Sequence, residues 1–178
     1  EDEALGDTSH LFRPAPALRL QGRTADKPVN QGKNPPIGAV LHYWLPADLP
    51  ADAPLELVIS GDSGEAIRTY TRKPAKDDES KSEEADDDRL LTADAGLNRV
   101  VWNLRYPSVK RFEKLVLWND YLDGPRAVPG DYTATLTAGE TSQSVPVEVR
   151  QDPRSSATAD ALLQQFDFAC SKSGSAGM

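Results

Sequence analysis

Apolar and polar positions alternate with a period of two along several short stretches of the chain. Over residues 131–138, Tyr132, Ala134, Leu136 and Ala138 fall on one side, with Asp131, Thr133, Thr135 and Thr137 on the other. Successive side chains of an extended chain point to opposite faces, so this pattern predicts a half-buried β-strand. Residues 144–150 repeat it with Val145, Val147 and Val149 in phase and Pro146 out of phase. Proline cannot donate to a ladder, so this strand is expected at an edge or with a bulge. The glycine-containing turn at 138–141 joins the two as a hairpin. Leu55, Leu57 and Ile59 share a face of a strand over 55–60, and a turn at 60–65 leads to a strand over 66–72, a second hairpin. Val100, Trp102, Leu104 and Tyr106 share one face of a strand predicted over 98–106. Over 39–45, Ala39, Leu41, Tyr43 and Leu45 lie opposite Val40, His42 and Trp44.

Short strands with one solvated face, broken by Gly/Pro turns, predict an all-β fold: an antiparallel β-sandwich of immunoglobulin-like or fibronectin III-like type. Residues 1–34 read as an extended, Pro-rich arm outside the core, with one apolar patch at 17–20. The sandwich is expected over 35–152, interrupted near 73–93 by an insertion whose acidic run at 77–88 is too poor in apolar residues to order itself. Residues 107–129 carry Phe112, Leu115, Leu117, Trp118, Tyr121 and Leu122, and are expected to fold back over the sandwich or an adjacent domain. Residues 153–178 are expected to start a truncated helix, with Leu162, Leu163, Phe166 and Ala169 along one side and a Ser or Thr cap, before a flexible Gly/Ser tail. The Tyr132 hydroxyl is expected to tie a corner of the sandwich.

Composition narrows the partners. At 178 residues the chain has room for one ordinary core. With 20 Lys and Arg against 28 Asp and Glu, net charge −8, it is a poor match for nucleic acid or an anionic membrane surface. Nor does any apolar run approach the ~20 residues that span a bilayer. Cys170 is the single cysteine, so no internal disulfide forms. The start at Glu1, without a basic-then-apolar leader, leads us to expect a mature product or an excised fragment.

Candidate chemistry is sparse. A nucleophilic triad needs a positioned base, and the histidines are His10 in the arm and His42 within a strand, the latter read as a structural ring. No GxSxG, P-loop, GxGxxG or CxxC pattern is present. The acidic run lacks the central glycine and register of a calcium loop, so it reads as solvated, and no metal or cofactor is expected. The aromatic residues say more. Trp102 belongs to the core, whereas Trp44, Trp118 and Tyr121 are candidates for a carbohydrate-binding platform or a domain contact.

Five strings occur in order: LFRP (11–14), NPPIGAVLHY (34–43), GLNRVVWNLRYP (96–107), GPRAVPGDYT (124–133) and VRQDPR (149–154). Together they resemble the region that follows the β-propeller in bacterial sortilin-like, sialidase-type (BNR-repeat, glycosyl-hydrolase-like) proteins. The resemblance implies an immunoglobulin-like sandwich and then a helical hairpin, in a secreted, periplasmic or surface-attached chain. Hydrolase activity would belong to the propeller, so no catalytic residue carries over. The acidic insertion is longer than that pattern. The expected role is a non-catalytic structural or interaction module packing against the adjacent propeller of the same polypeptide. A carbohydrate-binding module is the alternative, and a hydrolase fragment a third.

Overall fold

The computed structural model describes residues 6–20, 36–73, 90–107 and 124–174. In chain order these form β1 (His10–Leu11), β2 (Ala17–Arg19), β3 (Ala39–Leu45), β4 (Leu55–Ser60), β5 (Ala66–Arg72), β6 (Leu90–Leu91), β7 (Gly96–Trp102), β8 (Gly130–Ala138), β9 (Thr141–Gln151) and α1 (Ala159–Gly174). The strands make two sheets, one ordered β1-β3-β7 and one ordered β2-β9-β8-β4-β5-β6. The protein is thus mostly β, with one short C-terminal helix.

Period-two alternation decides which residues enter the core. Ala39, Leu41, Tyr43 and Leu45 of β3 are fully buried, as are Leu57 and Ile59 of β4. Tyr132, Ala134, Leu136 and Ala138 of β8 and Val145, Val147 and Val149 of β9 join the same cluster. Each such side chain stabilises the fold by about 1.5–3 kcal/mol relative to exposure when it is a large aliphatic or aromatic one. The two sheets meet within this core: the Tyr70 hydroxyl of β5 donates to the Val101 carbonyl of β7 at 3.3 Å.

Both predicted hairpins form. Between β8 and β9, Gly139 takes a φ of +59° at the first of two loop positions, which glycine adopts at little cost. Between β4 and β5, the Gly61 and Gly64 amides close the loop onto the Glu65 and Gly61 carbonyls. Pro146 sits where β9 has β8 on one side only, since β2 pairs with β9 at Val149, Arg150 and Gln151. That is the edge position expected of a strand proline.

The structure departs from the sequence expectation in four places. The arm is not outside the core: β1 pairs with β3, β2 pairs with β9, and Leu11 and Ala17 are buried. Two-residue and three-residue strands are too short to show a period. The sheets are not wholly antiparallel, since β2 runs parallel to β9 and β5 parallel to β6. A parallel return needs a long connection, and residues 73–89, between β5 and β6, supply the length. The end of the expected insertion is therefore a strand, with Leu91 buried, while the acidic run at 77–88 lies outside the described residues. Finally, β7 ends at Trp102 instead of continuing to Tyr106, because the Asn103 Oδ1 accepts the Arg105 amide at 3.2 Å and turns the chain. Leu104 follows at φ +58° and is buried, its carbonyl accepting the Ala127 amide at 2.7 Å.

After β9 the chain turns at Asp152. Its carboxylate accepts the Arg154 amide and Nε, both at 3.0 Å, and Nη2 at 2.8 Å, which holds the Asp152 carboxyl below its ordinary pKa. Thr158 caps α1, its Oγ1 accepting the Ala161 amide at 3.2 Å. Leu162 of the helix is buried, and the Phe166 ring meets that of Tyr106, in the segment after β7, edge-on at 4.7 Å. Leu163 and Phe168 remain exposed. No helix among the described residues is long and apolar enough to cross a membrane.

Candidate functional site

The outer face of the β1-β3-β7 sheet is the first surface to consider. Strand register places His10, Trp44 and Leu97 in one row across the three strands, His42 opposite Arg99, and Val40 opposite Val101. An exposed sheet face ordinarily carries polar residues. Here Val40, Trp44 and Val101 are half-buried and Leu97 is 64% exposed. The local cause is parity: the inward positions of β3 are all taken by buried residues, so Trp44 must point outward. Its indole Nε1 is buried and makes no hydrogen bond. Phe12, just after β1, donates its amide to the His42 carbonyl at 3.0 Å, and its ring meets His10 edge-on at 4.7 Å. His42 lies half-buried on this same sheet face.

Of the three aromatic candidates, the structure places Trp44 on this face. Trp118 and Tyr121 lie outside the described residues. Trp102 is in the core as expected, its Nε1 donating to the Arg105 carbonyl at 3.2 Å. Tyr132 ties its corner: the hydroxyl donates to the Val128 carbonyl at 2.7 Å, and burial pushes the phenol well above its ordinary pKa. Tyr43 donates likewise to the Thr92 carbonyl at 2.7 Å, and burial pushes it up to about 12.

A second feature was not read from the sequence. Arg19, Arg105 and Arg126 line a groove of about 370 Å³, closed on one side by Gln165, Phe166 and Ala169 of α1. Arg19 ends β2 and is only 8% exposed. Its Nε donates to the Ala127 carbonyl at 3.0 Å and its Nη2 to Gln165 Oε1 at 3.5 Å. Arg105 Nη1 donates to the Gly124 carbonyl at 2.9 Å, and Arg126 Nη1 to the Leu20 carbonyl. Arg105 and Arg126 face each other across an isolated antiparallel bridge. Burial lowers the Arg19 pKa. No sequence signal marked it: β2 is three residues long, and only the fold shows Arg19 on the same side as buried Ala17, with Leu18 outward. A smaller cleft of about 310 Å³ lies elsewhere, lined by Arg68, Tyr70 and Arg99 among others.

Comparison of the chain with protein-family models, with curated proteins and with solved structures finds no match. Function must therefore be argued from these two surfaces and the topology.

Proposed function

We propose that this chain is a non-catalytic interaction module with an immunoglobulin-like sandwich, which packs against and orients the β-propeller of a larger extracytoplasmic protein. The strand order supports the fold assignment. Two sheets ordered β1-β3-β7 and β9-β8-β4-β5 follow the Greek-key connectivity of such sandwiches, with β2 an added edge strand beside β9. Tyr132, near the start of β8, bonds back to Val128 as a tyrosine corner does. Two departures are physical substitutions: Trp102 fills the core from β7, and the single cysteine, Cys170, lies on α1, so packing replaces a disulfide.

The observation that carries the docking role is the row His10, Trp44 and Leu97 on the outer face of the β1-β3-β7 sheet. Aromatic and aliphatic side chains on an outward sheet face are what a domain contact uses. The test is binding of this chain to the propeller of its own polypeptide by calorimetry, with Leu97→Glu and Trp44→Glu as variants. Saturable binding lost in folded variants supports the role. A full reading frame without a propeller, or binding indifferent to both changes, rejects it.

The half-exposed Trp44 indole also favours a second reading, a carbohydrate-binding surface, in which a sugar ring stacks on it. Titration with oligosaccharides while following tryptophan emission separates the two: a saturable change absent from Trp44→Ala supports sugar binding, and silence across a broad panel removes it.

A further inference from the structure

We infer that the cleft between β5 and β7 is a binding site for a small oxyanion, a carboxylate or a phosphate, held by Arg68 and Arg99 with Asn103 beside them. This goes beyond the docking role and does not rest on it: Arg99 borders the row that carries Trp44, but Arg68, Tyr70 and Leu90 come from the other sheet.

Pairing decides where Arg68 points. Tyr70 stands opposite Leu57 and Arg68 opposite Ile59 on the neighbouring strand, and Leu57 and Ile59 are fully buried. Opposed residues of an antiparallel pair share a face, so Arg68 lies on the core side of its sheet. Its place at the margin leaves it half-buried. β6 covers β5 only at Thr71 and Arg72, so among the described residues β5 is the last strand of its sheet at Arg68, and β7 is the last strand of the other. The Tyr70 hydroxyl crosses between the two margins to the Val101 carbonyl at 3.3 Å, and a cleft of about 310 Å³ opens beside it.

The charge at this cleft is not spent on the protein. Arg68 Nε is buried without a hydrogen-bond partner, and no side-chain hydrogen bond or ion pair joins Arg68 or Arg99 to another residue among the described ones. Arg68 Cζ lies 6.0 Å from the centroid of the Tyr70 ring, a contact that favours the cation and leaves its N–H donors unpaired. No carboxylate is among the described residues lining the cleft. An acceptor drawn into it lets the guanidinium turn and pair the shielded donor, so binding offsets a cost already present in the fold. Guanidinium groups offer planar carboxylates and phosphates paired, charge-assisted bonds. Asn103 Oδ1 is occupied by the Arg105 amide, which leaves Nδ2 as a further donor at the same cleft.

The cleft also sets the size and character of the ligand. Its volume is at the small end of ligand sites. Leu90, Val100 and Val101 give it an aliphatic wall, suited to the carbon skeleton of an organic anion. A charge turned inward at a sheet margin also discourages edge-to-edge pairing, and lysine serves that end as well as arginine does. A lysine variant therefore separates the two roles.

The test uses the whole chain and three probes: inorganic phosphate, acetate and benzoate. The arginine Nε–Hε signals are followed by NMR during titration. Saturable shifts at Arg68 and Arg99 are expected, with Arg150 and Arg154, already paired to Glu148 and Asp152, unmoved. Phosphate alone acting identifies a phosphate site, and benzoate exceeding acetate identifies an organic carboxylate resting on the aliphatic wall. Arg68→Lys and Arg99→Lys keep the charge and lose the fork, and each is expected to weaken binding about tenfold, with Arg150→Lys unchanged. Undiminished binding in Arg68→Lys makes Arg68 a guard of the sheet edge and overturns the assignment. So does the lack of a saturable shift with any probe, or equal shifts at all four arginines. The wild-type spectra decide this even if a variant fails to fold.

Discussion

The rings of Trp102 and Tyr132 meet edge-on with centroids 5.1 Å apart and planes at 67°. One belongs to β7 and the other to β8, so the contact joins the two sheets. Both residues are also tied to backbone, Trp102 to the Arg105 carbonyl and Tyr132 to the Val128 carbonyl. Trp102→Ala empties a fully buried site and is expected to cost about 3–5 kcal/mol. Tyr132→Phe keeps the ring contact and loses the hydroxyl bond, which is expected to cost about 1–2 kcal/mol. Urea unfolding of the two variants checks the order, and equal losses would contradict a separate role for the hydroxyl.

Gly38 precedes β3 at φ +138°, and a Cβ built there would stand 2.2 Å from the Trp102 carbonyl oxygen. The obstacle is backbone, which cannot rotate away. Gly64 has φ +77° with open space around it. Gly38→Ala therefore combines strain with a clash, while Gly64→Ala carries strain alone, of about 1–3 kcal/mol. Thermal unfolding is expected to rank Gly38→Ala as the more damaging by several degrees.

How far the sequence led is clear from particular residues. β3, β4, β7, β8 and β9 announced themselves through alternation: Leu41 and Tyr43, or Ala134 and Leu136, are buried as their parity required. β1, β2 and β6 did not, because two or three residues define no period, and their places come from pairing with distant strands. The end of β7 was missed because Asn103 competes locally for the Arg105 amide. Alternation set Trp44 on the face opposite Leu41 and Tyr43, and the fold shows which of the two faces is the core. The arginine groove was not legible, since Arg19, Arg105 and Arg126 come from three separate segments that only the fold brings together.

Leu162 is buried on α1. Leu162→Ala is expected to loosen the helix without unfolding the sheets, since the shared core of the two sheets does not include it. Limited proteolysis is the measurement: cleavage within 159–174 accelerates while the main thermal transition moves little. A matching fall of the main transition would make the helix part of the same cooperative unit.

Alkaline titration addresses the buried phenols. Burial raises the Tyr43 phenol from its ordinary pKa of 10.0 to about 12, so the unfolded chain loses this proton at lower pH than the folded one. Its contribution is fully present below pH ~10 and falls as pH rises toward ~12, by roughly 2–3 kcal/mol across that window. Tyr132 is raised by burial too and acts in the same direction. Tyr43→Phe has no proton to lose. It is expected to be less stable than wild type at neutral pH by about 1 kcal/mol, through the lost bond to the Thr92 carbonyl. Above pH ~10 its stability should decline less steeply, with the residual slope due to Tyr132. Urea unfolding at stepped pH, paired with tyrosinate absorbance, checks both halves, and parallel curves for variant and wild type would show that Tyr43 ionises without regard to the fold.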